Sequence, residues 1–218
     1  MIAAQIKGII DELPQGVQLV AVSKYHTVAD IREAYNAGQR HFGESRVQEL
    51  TAKQALLPTD INWHFIGHLQ TNKVKYIAPF VTLIHAVDSE RLLQEIDRQA
   101  QRCGRTIDCL LQLHVAQEET KFGFTPQECL DMLAQGRWKE LTHARICGLM
   151  GMATNTTDET RIRQDFHTIK QCFNQIQAEY FADSPYFSQI SMGMSHDYSI
   201  ALQEGTTIVR IGSKIFGA

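Results

Sequence analysis

The chain has 218 residues, of which 44% are hydrophobic and 21% are charged, and its formal net charge at pH 7 is −3. This length and composition predict a globular protein with a full hydrophobic core. The nearly balanced charge argues against a surface that recruits nucleic acid or anionic lipid.

Residues 1–16 have helical apolar spacing, but they carry three charged side chains and end near Pro14 and Gly16. The segment is too short and too charged to cross a membrane, and it lacks the layout of a signal peptide. We expect a short amphipathic helix packed on the body of the protein. Five scattered cysteines without a C-x-x-C pair predict reduced thiols in a cytoplasmic protein.

The stretch VQLVAVS at residues 17–23 is rich in valine and has only two polar side chains. Such a β-branched run, followed by turn residues, predicts a buried strand. Lys24 comes next, and on the strand face of Val20 and Val22 it would point toward the interior. A partly desolvated lysine can lose its proton and form a Schiff base with an aldehyde. The alternative is a lysine that leaves the strand into solvent.

The rest of the chain alternates between helical and extended patterns, with N-capping residues, glycines and prolines at the boundaries. Predicted helices span residues 28–38, 47–57, 69–80, 89–104, 125–136, 158–180 and 196–205. Predicted strands span residues 17–23, 40–45, 61–67, 81–88, 107–115, 144–152, 186–195 and 206–217.

Strands that alternate with helices predict a parallel sheet with right-handed crossovers. Eight such units in about 200 residues match a small TIM barrel. We therefore predict an α/β protein, a (β/α)8 TIM barrel, with residues 1–218 as a single domain. A doubly wound open sheet is the rival architecture, but the usual G-x-G-x-x-G turn after the first strand is missing.

In a (β/α)8 barrel the carboxyl ends of the strands form the active face, and phosphate commonly binds after strands 7 and 8. The segments SMGMS and RIGS end those two predicted strands and provide Ser195, Gly212 and Ser213. Hydroxyl groups and sterically open backbone N–H groups suit phosphate oxygens. Ordinary turn residues are the alternative interpretation.

Arg210 lies two residues before Gly212 on the same strand face, so it should point inward near the barrel mouth. A buried arginine stays charged and needs an acceptor. That acceptor could be an interior carboxylate such as Glu44, or the ring nitrogen of a cofactor, a role that arginine or aspartate has in pyridoxal phosphate sites.

His64 either contacts a ligand at the mouth or is an interior histidine with protein partners. His64 and His68 are four residues apart across a strand end and have no evident third ligand, so we predict no metal site. Lys121 is expected to be a solvated loop residue.

Seven sequence blocks occur in an order that points to a known family. They are VAVSK (20–24), FGESRVQE (42–49), WHFIGHLQTNK (63–73), KFGF (121–124), GLMGMAT (148–154), SMGMSHDY (191–198) and VRIGSKIFG (209–217). Together they resemble the YggS/PROSC-like pyridoxal phosphate homeostasis proteins from about residue 17 to the C-terminus. That family has a barrel like the N-terminal domain of alanine racemase (fold type III), and it binds pyridoxal 5′-phosphate as an internal aldimine.

The resemblance implies that Lys24 is the Schiff-base lysine and that Arg210 faces the pyridine nitrogen. It implies that the phosphate is held by Ser195, Gly212 and Ser213, and that His64 belongs to the surroundings of the cofactor. The family usually has FGEN-Y-V-Q-E, whereas Ser45 and Arg46 replace the asparagine and the aromatic residue here. The shorter hydroxyl at position 45 would reach less far toward the cofactor.

Alanine racemases take a second base, a tyrosine, from a separate C-terminal β domain of the partner subunit, whereas this sequence ends at Ala218. The resemblance therefore implies a non-catalytic carrier that buffers pyridoxal phosphate or delivers it to apo-enzymes. We expect a cytoplasmic monomer without nucleic acid or membrane partners. A pyridoxal phosphate-dependent racemase or related enzyme is the alternative. A Schiff-base aldolase ranks last, because its lysine usually lies on a central strand.

Overall fold

The computed structural model describes residues 1–118 and 122–217. Within these residues, eight parallel strands form a closed barrel in which each strand pairs with the next and β8 returns to β1. The strands are β1 (Gln18–Val22), β2 (His41–Glu44), β3 (Asn62–Phe65), β4 (Leu83–Val87), β5 (Ile107–His114), β6 (Ala144–Met152), β7 (Gln189–Met194) and β8 (Ile208–Ile211). The predicted (β/α)8 architecture is confirmed, and the open doubly wound sheet is excluded by the closure.

Helices connect the strands on the outside of the barrel. They are α1 (Ile2–Glu12), α2 (Val28–Asn36), α3 (Val47–Gln54), α4 (Val74–Ile77), α5 (Glu90–Arg102), α6 (Pro126–Ala134), α7 (Glu159–Tyr180), α8 (Tyr198–Gln203) and α9 (Ser213–Phe216). Side-chain caps fix where some of them begin. Ser89 accepts a hydrogen bond at the start of α5, and Thr27 and Thr125 form capping boxes at the starts of α2 and α6.

Two predicted elements differ from the structure. The helix predicted over residues 69–80 is a 3-10 turn, Thr71–Lys73, followed by the single-turn helix α4. The strand predicted over residues 206–217 ends at Ile211, because the carbonyl of Gly212 accepts the N–H of Ile215 and begins the turn of α9. Ile215 is buried in the outer core, so tertiary packing overrides the extended pattern at this end of the chain.

The core has two parts, one on each side of the barrel wall. Between the wall and the helices lies a large apolar layer that includes Ala21 and Phe42. The lumen contains a smaller cluster, made of Val20, Leu83, Ala86, Leu110, Cys147, Met150 and Ile208. Because successive strand residues alternate between the two sides, Ser23, directly after β1, lies on the same outer side as Ala21.

Helix α1 packs against α2 and α9 and buries Ile2, Ile6 and Ile9. Its last residue, Glu12, accepts a hydrogen bond of 2.6 Å from the hydroxyl of Tyr198 at the start of α8. Across residues 1–118 and 122–217, no helix combines the length and the apolar run that crossing a bilayer requires.

Candidate functional site

Lys24 lies at the mouth of the barrel, at the carboxyl end of β1. Ser23 before it is fully buried, whereas the side chains of Lys24 and Tyr25 are exposed. The backbone turns sharply here, since Tyr25 has a φ of 69°, which is uncommon for a residue other than glycine. The side chain of Lys24 is therefore exposed to solvent and is not buried within the lumen.

The buried ammonium group of Lys53 stabilises the backbone of this turn by hydrogen bonds. Lys53 of α3 donates to the backbone carbonyl of Ser23 at 2.7 Å, to Glu44 at 2.7 Å and to Glu49 at 2.6 Å. These three bonds use all three protons of the ammonium group, which explains how a lysine side chain can be only 7% exposed.

Glu49 binds the backbone on the C-terminal side of Lys24. Its Oε1 accepts the backbone N–H of Tyr25 at 2.7 Å, in addition to the bond from Lys53. The carbonyl before Lys24 and the N–H after it are therefore both held by charged side chains of α3. Hydrogen bonds to charged groups are about twice as strong as neutral ones. We call Lys53, Glu44 and Glu49 the α3 clamp.

Glu44 is completely buried on the outer side of β2. Its Oε1 accepts hydrogen bonds from Lys53 and from the hydroxyl of Ser23, at 2.7 and 2.6 Å. Burial raises the pKa of Glu44, while the bonds from Lys53 and Ser23 oppose that rise. The sequence left open whether Glu44 pairs with Arg210; in the structure Glu44 belongs to the α3 clamp, and that pairing is wrong.

Arg210 points into the lumen from β8, next to Val20 of β1, and is 4% exposed. Its Nη1 donates to the hydroxyl of Ser191 at 2.6 Å and its Nη2 to the carbonyl of Gly151 at 3.1 Å. Burial lowers the pKa of Arg210 to about 10, so the guanidinium remains charged at neutral pH. Among the described residues its Nε makes no hydrogen bond, which leaves a donor for a ligand.

The loops after β7 and β8 meet beside the end of β1. The backbone N–H of Gly212 donates to the hydroxyl of Ser195 at 3.2 Å, which joins the two loops. A Cβ on Gly212 would lie 3.1 Å from the carbonyl oxygen of Val22, so glycine allows β8 to approach β1 closely. Ser213 follows and is exposed at the mouth.

His64 lies in the lumen and is 2% exposed. Its Nε2 bonds the Nδ1 of His41 at 3.0 Å and its Nδ1 bonds the Nε2 of His85 at 2.8 Å. Both ring nitrogens thus have protein partners, as expected if His64 is an interior histidine. The geometry does not support direct polar contact between His64 and a ligand at the mouth.

His68 has different surroundings from His64. Its Nδ1 lies 2.9 Å from Asp88, and its ring contacts Phe122 with centroids 4.3 Å apart. Within the two described stretches of chain, no group of three or more His, Cys, Asp or Glu side chains is arranged to hold a metal ion. Lys121 lies outside the described residues.

Arg46, one of the two departures from the family pattern, lies beside the same mouth. Its guanidinium carbon is 5.1 Å from the ring centroid of Tyr25. The Nζ of Lys24 is 5.9 Å from the same ring centroid. Both distances lie within the range of cation–π attraction. The substitution therefore places a second cation next to Lys24.

The sequence did not identify several residues at this site. A cleft at the mouth is lined by side chains that include Gln112, His114, Met152 and Met194. Their positions at or near the carboxyl ends of predicted strands were an available signal. The α3 clamp offered a weaker one, namely Glu49 and Lys53 at the i,i+4 spacing that allows an ion pair on a helix.

Comparisons with known proteins agree with this geometry. The family model described as "Alanine racemase, N-terminal domain" matches residues 1–218. A protein of Aquifex aeolicus named "Pyridoxal phosphate homeostasis protein" is 39% identical over 201 residues, which cover 92% of this chain and 86% of that protein.

Solved structures of PipY from Synechococcus elongatus PCC7942 are also similar. The structure without PLP has a TM-score of 0.93, and the structure with PLP bound has a TM-score of 0.89. Each is 38% identical, and the alignment covers 100% of both chains. The chain therefore belongs to the alanine racemase N-terminal domain family and, within it, to the YggS/PROSC-like pyridoxal phosphate homeostasis proteins.

Proposed function

We propose that this protein binds pyridoxal 5′-phosphate and serves in the homeostasis of that cofactor, as its relatives are named to do. The observation that carries the proposal is the convergence of three chemical groups at one mouth. These are the amine of Lys24, the charged guanidinium of Arg210, and the hydroxyl-bearing loops that Ser195 and Gly212 join.

Each of these groups matches a different part of the cofactor. Pyridoxal phosphate brings an aldehyde, a pyridine nitrogen and a phosphate, and when bound it supplies an electron-withdrawing ring. Arg210 has a free donor for the ring nitrogen. Because arginine keeps its proton, that nitrogen would accept a hydrogen bond and would stay unprotonated. The phosphate would be held by Ser195, Gly212 and Ser213.

Lys24 would hold the cofactor covalently. Its amine would bond to the aldehyde carbon of the cofactor as a Schiff base, with the aldehyde oxygen lost as water. The α3 clamp keeps the peptide groups on both sides of Lys24 in place while the long side chain moves. His64 would act through Arg210 and not by direct contact.

We propose a carrier in preference to an enzyme. Lys24 is exposed, and an open site neither excludes water nor positions a substrate well. The exposed amine would instead allow the cofactor to exchange with apo-enzymes. We further propose that the protein acts as one ligand-binding unit and that it is a cytoplasmic monomer. A measurement of its mass in solution would test whether it is a monomer.

Visible spectroscopy of the protein mixed with pyridoxal phosphate tests the covalent bond. We expect an absorbance band that borohydride abolishes, and a reduced adduct that peptide mapping assigns to Lys24. Lys24→Ala should remove the band, whereas Lys214→Ala, near the same mouth, should keep it. A band of full intensity in Lys24→Ala would refute the assignment.

A second measurement separates the carrier from the racemase alternative. The loaded protein is incubated with L-amino acids in deuterated water, and exchange of the α-proton is followed. We expect no exchange above the level that free pyridoxal phosphate gives. Exchange at enzyme-like rates that disappears in Lys24→Ala would establish an enzyme and overturn the carrier.

A further inference from the structure

A continuous line of hydrogen bonds crosses the barrel lumen below the candidate site. Arg210 Nη1 lies 2.6 Å from Ser191 Oγ, and Ser191 Oγ lies 2.9 Å from His85 Nδ1. His85 Nε2 lies 2.8 Å from His64 Nδ1, and His64 Nε2 lies 3.0 Å from His41 Nδ1. Five polar side chains from β2, β3, β4, β7 and β8 thus form one chain, which we call the lumen chain.

The two ends of the lumen chain lie at different depths in the barrel. Arg210 is next to Met194, at the carboxyl end of β7 and therefore near the mouth. His41 is the first residue of β2 and therefore lies at the base. It is half-buried and borders a cleft that Leu13, Gln18 and Gln39 also line.

The partners of Ser191 determine the direction of these bonds. The guanidinium of Arg210 can only donate, so Ser191 Oγ accepts from it. Among the described residues the hydroxyl proton of Ser191 has one available acceptor, His85 Nδ1. If His85 donated through Nδ1 instead, the hydroxyl proton of Ser191 would be buried without an acceptor, which is costly.

Each imidazole passes this direction to the next. A neutral imidazole has one donor nitrogen and one acceptor nitrogen. His85 accepts at Nδ1, so its Nε2–H donates to His64 Nδ1; His64 in turn donates from Nε2 to His41 Nδ1. All three rings are then in the Nε2–H tautomer.

The surroundings keep these rings neutral. Burial lowers the pKa of His64 to about 3, with a smaller contribution from His41. Burial also lowers the pKa of His85 well below its usual value, and burial lowers the pKa of His41. A doubly protonated ring within the chain would set two donors against each other, so neutrality and a single direction support one another.

We propose that the lumen chain is a one-directional hydrogen-bond relay that orients the guanidinium of Arg210 and couples it to His41 at the base of the barrel. Ser191, His85 and His64 are positioning residues for Arg210. The relay concerns only side chains of this protein, so it goes beyond the proposed function and does not depend on it. Its consequence is that a change in the tautomer at one end requires a change at the other.

Nitrogen-15 NMR of histidine-labelled protein, without cofactor, tests the direction, because ring nitrogen shifts distinguish the two neutral tautomers. Histidine substitutions one at a time assign the signals. We expect the Nε2–H tautomer at His41, His64 and His85. An Nδ1–H tautomer at any of the three in the unsubstituted protein would overturn the proposal.

A substitution of Ser191, within the lumen, tests the coupling along the chain. In Ser191→Asp the carboxylate pairs with Arg210 and accepts from His85 Nδ1–H, so the relay should reverse. We expect the dominant tautomer of His41, two rings away, to change from Nε2–H to Nδ1–H. Ser191→Thr keeps the hydroxyl and should keep the original tautomers, as should Cys147→Ser, a change in the lumen but outside the chain.

The outcomes of this experiment separate a relay from a set of local contacts. If His85 alone changes its tautomer in Ser191→Asp while His64 and His41 stay as they were, the contacts are independent and the proposal fails. Because no pyridoxal phosphate is present, failure here leaves the proposed function intact. Failure of cofactor binding would likewise leave the relay intact.

Discussion

The ammonium of Lys53 lies 2.7 Å from the carbonyl oxygen of Ser23, the residue that precedes Lys24. The contact joins a helix on the outside of the barrel to the end of a strand whose next side chain faces the mouth. A buried charge thus fixes the backbone from which an exposed amine extends. The α3 clamp gives the candidate site a rigid base, while its reactive side chain stays free to move.

Removing the charge of Lys53 should destabilise the fold. Lys53→Met leaves Glu44 buried without a cation, and breaking a buried ion pair costs about 3–5 kcal/mol. Urea unfolding at pH 7 should show a loss of that size. The loss should shrink as the pH falls, because Glu44, whose pKa burial already raises, can then take up a proton.

A double variant tests whether the unpaired charge is the cause. Glu44→Gln combined with Lys53→Met removes both charges and should recover part of the lost free energy of unfolding. If the double variant is as unstable as the sum of the two single variants, the two residues are not coupled.

Glu49 should matter more for cofactor binding than for folding. Glu49→Ala removes the acceptor of the Tyr25 N–H at the exposed surface, so we expect the turn at Lys24 to loosen. Binding of pyridoxal phosphate, followed by the visible band, should weaken about tenfold, which corresponds to roughly 1.4 kcal/mol. Glu179→Ala, on the exposed face of α7, is the control and should bind normally. Equal affinity in both variants would show that the contact does not support the site.

The buried histidines should make stability depend on pH. His64 has a pKa of about 3 in the fold against an ordinary value of 6.5, so between those values the unfolded chain binds a proton that the folded protein does not. The contribution of His64 to the free energy of unfolding is therefore fully present above pH 6.5 and is lost as the pH falls toward 3. The slope should be about 1.4 kcal/mol per pH unit for each such histidine. In His64→Gln the slope in this range should be smaller by that amount, and an unchanged slope would contradict the assignment.

Gly193 should tolerate no side chain. Its φ is +94°, and a Cβ would lie 2.6 Å from the Cβ of Ala201. Gly38 is a matched control, since its φ is +99° but a Cβ there would meet nothing within 4 Å. Both alanine variants should lose about 1–3 kcal/mol to backbone strain. Gly193→Ala should lose roughly 1–3 kcal/mol more from overpacking. Equal losses in thermal or urea unfolding would mean that the helix α8 moves away to accommodate the methyl group.

Much of the fold could be predicted because its causes are local. Alternation of extended and helical patterns, with glycine, proline and capping residues at the boundaries, identified the units of the barrel. The ends of the chain elements were less accurate where packing decided them. The burial of Ile215, for example, ends β8 at Ile211 and starts a helical turn, against an extended pattern in the sequence.

Residue types and their order were enough to predict the (β/α)8 class and the family, and to select Lys24 and Arg210 as candidate site residues. Two pairings became visible in the folded chain alone: Glu44 pairs with Lys53 and not with Arg210, and His64 bonds His41 and His85. The physical reason is that a closed barrel sorts side chains by strand parity into two separate environments. Which residues then meet depends on strands that are far apart in the sequence.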